Sequence, residues 1–285
     1  MKRPILLIGL IVIASVLAAC AAPTPKVVVV KETVIVAGTP QVEERVVTAT
    51  PEPVPTEPVE KKTIVIVHPQ EVRWLDPAKI TESQSGTIIR NVYSRLVDQS
   101  YDASEIMPDL AEEWEISDDG LVYTFQLRQG VTFHDGTPLT ADDVVYSFQR
   151  ALAINLGDTV HVYDYLAPEN VVALDDSTVQ MTLSEPWSPF LTIVASPRTF
   201  SILPKAWVEA NKTDDDPWAG EFLNENANGT GSFRFIEWVP KQYVRLERNE
   251  DYYKGPAKVE VVLYQVSADD TTTRLALEKG DVDIV

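Results

Sequence analysis

The sequence predicts an α/β fold, and three observations carry that prediction. Between residues 63 and 285, short apolar or two-residue alternating runs recur, as strands require. Between them lie segments whose apolar residues repeat every three or four positions, which is one face of a helix. Turn pairs such as Asp119-Gly120 and Pro240-Lys241 separate the runs. A chain of 285 residues is also long enough to bury a sizeable core and to form two folding units.

The elements follow in order. "TIVIV", 63–67, is a short apolar run suited to a buried strand. "SGTIIRNVYSRLV", 85–97, sets Ile88, Val92 and Leu96 on one helix face beside Ile89, Tyr93 and Val97, with Ser85 able to cap its start. After Asp119-Gly120, Leu121, Tyr123, Phe125 and Leu127 alternate with more polar neighbours, a half-buried strand. "NVVALDDSTVQMTL", 170–183, reads as a hairpin about Asp175-Asp176-Ser177. A further hairpin turns near Pro240-Lys241, between "FRFIEW" and "YVRLER", and "VEVVLYQV", 259–266, is another buried strand. "DDTTTRLALEKG", 269–280, is a helix with Asp269 as cap and Gly280 at its stop. The closing "GDVDIV" has the pattern of a strand cut part-way, so the fold is expected to continue beyond it.

"RQGVTFHDGTPLTADDVVYSF", 128–148, gathers a histidine, three aspartates and several hydroxyls. Thr140 and Asp143 have capping-box spacing, and two acids in a first turn suit the helix dipole. Val144, Val145, Phe148 and Leu152 then form the buried face. His134 has no clustered partner, because the other histidines are His68 and His161. The stretch is therefore expected to join a strand to a helix. No Gly-x-Ser-x-Gly, P-loop, dinucleotide fingerprint or His-Glu-x-x-His occurs, so no enzyme activity, cofactor or metal is expected. Trp114, Trp187, Trp207 and Trp238 are read as core or interface residues rather than ligand platforms.

The formal charge of −19 argues against nucleic acid or an anionic membrane surface as the main partner, since both attract clustered cations. With one cysteine, Cys20, there is no internal disulfide and no cysteine zinc site. Lys2 and Arg3 precede an apolar run from Ile5 to Leu17, a secretory signal too short for a comfortable membrane span. "Leu17-Ala18-Ala19-Cys20" resembles a bacterial lipobox. That resemblance implies removal of residues 1–19, lipid on the Cys20 thiol, and attachment to the outer side of the cell membrane through the acyl chains. Residues 20–62 carry many prolines and no aromatic residue, and are read as a disordered stalk. Val27–Val30 and Val34–Val36 have strand propensity, so local pairing is possible, although no partner strand is evident.

"MPDLAEEWEISDDGLVYTFQLRQGVTFHDGTPLTADDVVYSFQRAL", 107–152, closely resembles the signature region of extracellular solute-binding proteins of family 5. "WLDPAKI" at 74–80, "NGTGSFRFIEWVPKQYVRLERNEDYYKGPAKVEVVLY" at 228–264 and "TTTRLALEKGDVDIV" at 271–285 follow the same pattern in the same order. The resemblance implies a periplasmic-binding-protein-like (type II) α/β first lobe over 63–285. Its core would be 63–76 and 186–285, with an α+β subdomain inserted at about 77–185 and the second lobe missing. It implies a binding component of an ABC importer, with a peptide or another small solute as ligand and a permease and ATPase as partners. A surface sensor or adhesion lipoprotein using the same fold is the alternative.

Two segments are candidates for ligand contact. One is the loop after the first strand, where Glu71, Val72, Arg73 and Trp74 lie beyond a strand end. Trp74 as core, with solvated charges beside it, is the competing reading. The other is "NANGTGSF", where Asn228, Gly229, Thr230 and Gly231 let backbone approach closely and offer free amides, unless this is a plain hairpin loop. Ser83, Gln84 and Ser85 present polar groups at a helix start.

Overall fold

The computed structural model describes residues 27–36, 39–48, 62–196 and 200–285. It divides into two compact units, Met1–Glu60 and Lys61–Val285, taken in turn.

In the first unit, β1 (Val27–Val36) and β2 (Thr39–Thr48) form an antiparallel hairpin with Val27 opposite Thr48 and Val36 opposite Thr39. These strands lie within the 20–62 stretch read from the sequence as a stalk, and they are the local pairing that its valine runs allow. The partner strand is masked in the sequence because Pro40, Glu43 and Glu44 interrupt the valines at 42, 46 and 47. Proline is tolerated near a strand's first residue, so Pro40 does not forbid the pairing. Cys20 and the leader before it lie outside the described residues.

The second unit begins with β3 (Thr63–His68) and α1 (Ser83–Val92). A short pair, β4 (Val97–Gln99) and β5 (Ile106–Pro108), leads into β6 (Ala111–Ile116) and β7 (Val122–Leu127). Then come α2 (Ala141–Ile154), β8 (Val171–Asp175) and β9 (Thr178–Thr182). Short helices α3 (Phe190–Val194), α4 (Lys205–Glu209) and α5 (Gly220–Leu223) precede β10 (Phe233–Val239), β11 (Tyr243–Arg248), β12 (Val261–Val266) and α6 (Asp270–Lys279).

Two sheets organise this unit. One has the order β10-β11-β12-β3, with β12 and β3 parallel and the other pairs antiparallel. Beside β3, Ile284 forms a parallel bridge to Ile66, and the Val67 amide donates to the Ile284 carbonyl at 2.9 Å. The extended pattern of "GDVDIV" thus joins this sheet. The other sheet is antiparallel with the order β6-β7-β9-β8.

Each sheet has its own core. Ile88, Ile89 and Val92 of α1 pack with Val244, Leu246 and Tyr264 of the first sheet. Phe148 and Leu152 of α2 pack with Phe125, Val179 and Met181 of the second. Each such side chain, fully buried, contributes about 1.5–3 kcal/mol. The apolar face of α1 belongs to the first sheet's cluster, while Phe190, Val194, Phe200 and Ile202 belong to the second sheet's.

The strand-to-helix joint forms as its sequence predicts. The Asp143 carboxylate accepts from the Thr140 amide at 2.9 Å and completes a capping box at the start of α2. Asp269 caps α6 through the Thr272 amide, and Gly280 ends it at φ 83°. The expected role of Ser85 changes, because α1 starts two residues earlier with Glu82 at its cap.

Candidate functional site

The strands β3 and β12 run parallel, so their carboxyl ends emerge side by side at His68 and Val266. Ligands of open α/β sheets bind beyond such ends. An open cleft of about 520 Å³ lies there, lined by Gln70, Glu71, Arg73, Glu82 and Lys241. Glu71 and Arg73 come from the loop after β3, Glu82 from the cap of α1, and Lys241 from the β10–β11 turn. The lining thus carries two acids and two bases. The ion pairs among the described residues leave Glu71, Arg73 and Lys241 out.

A narrow slot adjoins the cleft and shares Gln70 with it. His68, Val72, Gln84, Trp238, Tyr243 and Tyr264 line it. Its free volume, about 10 Å³, holds at most one water. His68 stacks on Tyr264 at 6.0 Å between ring centroids, and its Nε2 is buried with no partner among the described residues. Burial holds the His68 imidazole below its usual pKa, which favours the neutral ring.

The loop after β3 is tied down. The Arg73 and Trp74 amides donate to Ser85 Oγ at 3.3 and 3.2 Å, and the Leu75 amide donates to Asn224 Oδ1 at 3.2 Å. Ser85 in turn donates to the Glu82 carboxylate. Ser85 therefore fixes the loop against α1 rather than facing the cleft. Such a rigid rim can hold a ligand with little ordering cost. No cluster of three or more metal-ligating side chains occurs among the described residues.

Comparison with known proteins gives the site its context. The family model "Bacterial extracellular solute-binding proteins, family 5 Middle" matches residues 105–285. The chain is also 34% identical over 242 residues to the probable D,D-dipeptide-binding periplasmic protein of Escherichia coli K12, covering 84% of this chain and 46% of that protein. This chain belongs to the family 5 extracellular solute-binding proteins. It is 34% identical to the heme-binding protein A of Haemophilus influenzae over 226 residues, which are 73% of this chain and 41% of that protein. The solved structure of the periplasmic binding protein DppA from Helicobacter pylori, in complex with the peptide STSA, superposes with TM-score 0.69 at 31% identity, covering 77% of this chain and 45% of that one. The α/β, periplasmic-binding-protein fold expected from the sequence is the observed one. The chain spans less than half the length of each of these relatives. No helix among the described residues is long and apolar enough to cross a membrane.

The family fold brings part of the predicted site together. Glu71 and Arg73 line the cleft, and Val72 and Gln84 line the slot. Val72 is nearly buried and packs with the first sheet's cluster. Trp74 and Ser83 are exposed and line neither the cleft nor the slot, with Lys79 Nζ 5.9 Å from the Trp74 ring centre.

The second predicted segment lies elsewhere: Asn228, Gly229, Thr230 and Gly231 line neither the cleft nor the slot. All four are buried. The Gly229 amide donates to His134 Nδ1 at 3.4 Å and the Gly231 amide to the Val92 carbonyl at 2.9 Å, so neither is free for a ligand. Asn228 Nδ2 donates to Asp135 Oδ2 at 2.8 Å. A Cβ on Gly229 would lie 2.1 Å from the Val92 carbonyl oxygen, and one on Gly231 would lie 2.4 Å from that of Asn91. These glycines allow close approach of backbone to the end of α1.

The same contacts explain His134. Since Nδ1 accepts from Gly229, the ring proton sits on Nε2, which donates to the Gly231 carbonyl at 3.1 Å. Burial lowers its pKa to about 4, with the Arg234 charge acting the same way. The histidine is a neutral strut between two loops. Sequence reading missed Glu82, Lys241, Trp238, Tyr243 and Tyr264 as wall residues. Their hairpins were legible, but nothing local to them signals the fold-back onto the β3 loop.

Proposed function

We propose that residues 62–285 form the solute-receiving side of an extracytoplasmic binding protein. It captures a peptide or a similar small solute in the cleft beyond β3 and β12 and hands it to an ABC permease with its ATPase. The observation that carries this reading is the cleft itself. It lies at the carboxyl ends of two parallel strands in a family of solute-binding proteins, and its wall mixes Glu71 and Glu82 with Arg73 and Lys241. A short peptide with free termini carries both charges, and this wall can pair with each. The tied-down loop supplies the rigid rim.

Capture works by population shift: a ligand that binds the closed form of a two-lobed protein better stabilises that form. Lipid at Cys20 would hold the protein beside its transporter and raise its local concentration there. No chemistry on the solute is assigned to any residue.

Titration calorimetry of the full chain with di- to tetrapeptides, heme and nickel chelates tests the reading. Saturable heat with one class, weakened at least about tenfold by Arg73→Ala or Glu71→Gln, is expected. Binding that ignores both substitutions, or no binding by any class, would contradict it.

A further inference from the structure

We propose that Lys241 is the residue of the cleft that receives a carboxylate of the bound solute, an inference that rests on the reading of this cleft as the place of capture. Lys241 stands in the turn between β10 and β11 and lines the cleft with Gln70, Glu71, Arg73 and Glu82. The backbone gives no reason for a lysine there. The Gln242 amide donates to the Val239 carbonyl at 3.0 Å, which closes a turn over Val239, Pro240, Lys241 and Gln242. Proline holds φ negative at the second position, and Lys241 at the third has φ 64°. Those two features define a type II turn, whose third position ordinarily takes glycine or asparagine. A lysine pays a steric cost there that glycine avoids and that asparagine eases by local hydrogen bonding.

The non-glycine residues with positive φ among the described residues are Ala103, Asn155, Ala219 and Lys241. Of these, Lys241 alone is charged and alone lines the cleft. Strain of this kind persists where the surroundings hold it, and it gathers at ligand sites. Here the surroundings are the strand ends themselves. The Gln242 carbonyl accepts from the Val266 amide at 2.9 Å, and Tyr243 pairs with Gln265 across β11 and β12. The turn is therefore pinned to the end of β12, beside the carboxyl end of β3.

The charges select a carboxylate as the group received. Lys241 makes no ion pair among the described residues. Of the two acids in the wall, Glu82 accepts from the Ser85 hydroxyl and from the Thr81 amide at 3.3 Å, so its carboxylate is held toward its own helix start. A chain of formal charge −19 repels anions as a whole, so a solute carboxylate needs a local cation to settle beside. A lysine offers a point charge on a flexible stem, which suits an acceptor whose position varies from one solute to another. That carboxylate belongs either to a peptide's terminus or to an acidic side chain.

The test is calorimetry and thermal melting of the full chain, native and with Lys241→Gly, Lys241→Gln or Lys241→Arg. The probes are tri-alanine, tri-alanine amide and alanyl-glutamyl-alanine amide, which present a terminal carboxylate, none, and a side-chain carboxylate. The native chain should bind at least one carboxylate-bearing probe more tightly than tri-alanine amide. Lys241→Gly and Lys241→Gln should weaken that probe by about threefold to tenfold and leave tri-alanine amide unchanged, and Lys241→Arg should restore the preference. Which probe responds tells the terminus from the side chain. Lys241→Gly should melt at the native temperature or above it, because the strain is gone. Equal binding of all three probes by the native chain, or a preference that survives Lys241→Gly, overturns the proposal. So does a Lys241→Gly chain that melts lower and binds every probe less, since the lysine would then serve the fold. Heme or a nickel chelate binding where none of the three probes does overturns the proposal and leaves the cleft reading standing; no binding by any of them removes both.

Discussion

The Arg150 guanidinium holds both oxygens of the Asp76 carboxylate, at 2.8 and 2.6 Å, with both side chains almost wholly out of water. Arg150 Nε also donates to the Trp218 carbonyl at 3.0 Å, and Asp76 accepts from the Ala78 amide at 3.1 Å. Asp76 closes the loop that carries Glu71 and Arg73. Arg150 sits on α2, whose Tyr146 packs with the first sheet's cluster and whose Phe148 packs with the second's. One bidentate pair thus fastens α2 to the base of the candidate site.

Removing one partner strands a buried charge. Asp76→Ala or Arg150→Ala should each cost about 3–5 kcal/mol in denaturant unfolding of the full chain. The double variant should cost less than the sum of the two by about 1–3 kcal/mol, because the second change removes the charge that the first left alone. Additive losses would show that the pair is not coupled.

His134 gives the fold a defined response to acid. Its folded pKa is about 4, below the usual 6.5. The unfolded chain takes up the proton first as pH falls, so the contribution is fully present above about 6.5 and is lost as pH drops toward 4. The loss should approach about 2–3 kcal/mol at pH 4. Asp135 and other carboxylates titrate nearby, so the readout is the difference between the native chain and His134→Gln over pH 7.5 to 4.5. An identical slope in both would refute the assignment.

The glycines separate close approach from backbone strain. Gly136 has φ 87° and open space around its Cβ position, so Gly136→Ala should cost only about 1 kcal/mol. Gly229→Ala would drive a methyl into the Val92 carbonyl, and the loss should be at least twice as large. Equal melting temperatures for the two variants would contradict this placement of the loop.

What the sequence revealed follows the range of each interaction. Thr140 and Asp143 are three positions apart, and Asp269 and Gly280 bound a single helix, so their roles are readable locally. The hairpin turn at Lys241 was readable too, but its place on the cleft wall depends on how three strands return to β3. Asp76 and Arg150 lie in two quoted motifs, and nothing in either names the other. Gly229 and Gly231 signalled that something comes close without saying what, and it is the carboxyl end of α1. The β1–β2 hairpin was hidden by the prolines and acids that made its neighbourhood look like linker.

The placement of the solute is tested most directly by amide hydrogen exchange of the full chain, with and without the peptide that binds best. Slowed exchange should fall on residues 69–74, 82–84 and 241–243, while residues 228–231 stay unchanged because they are already buried. Protection centred on 228–231, or none around the β3 loop, would contradict the cleft as the place where solute is held.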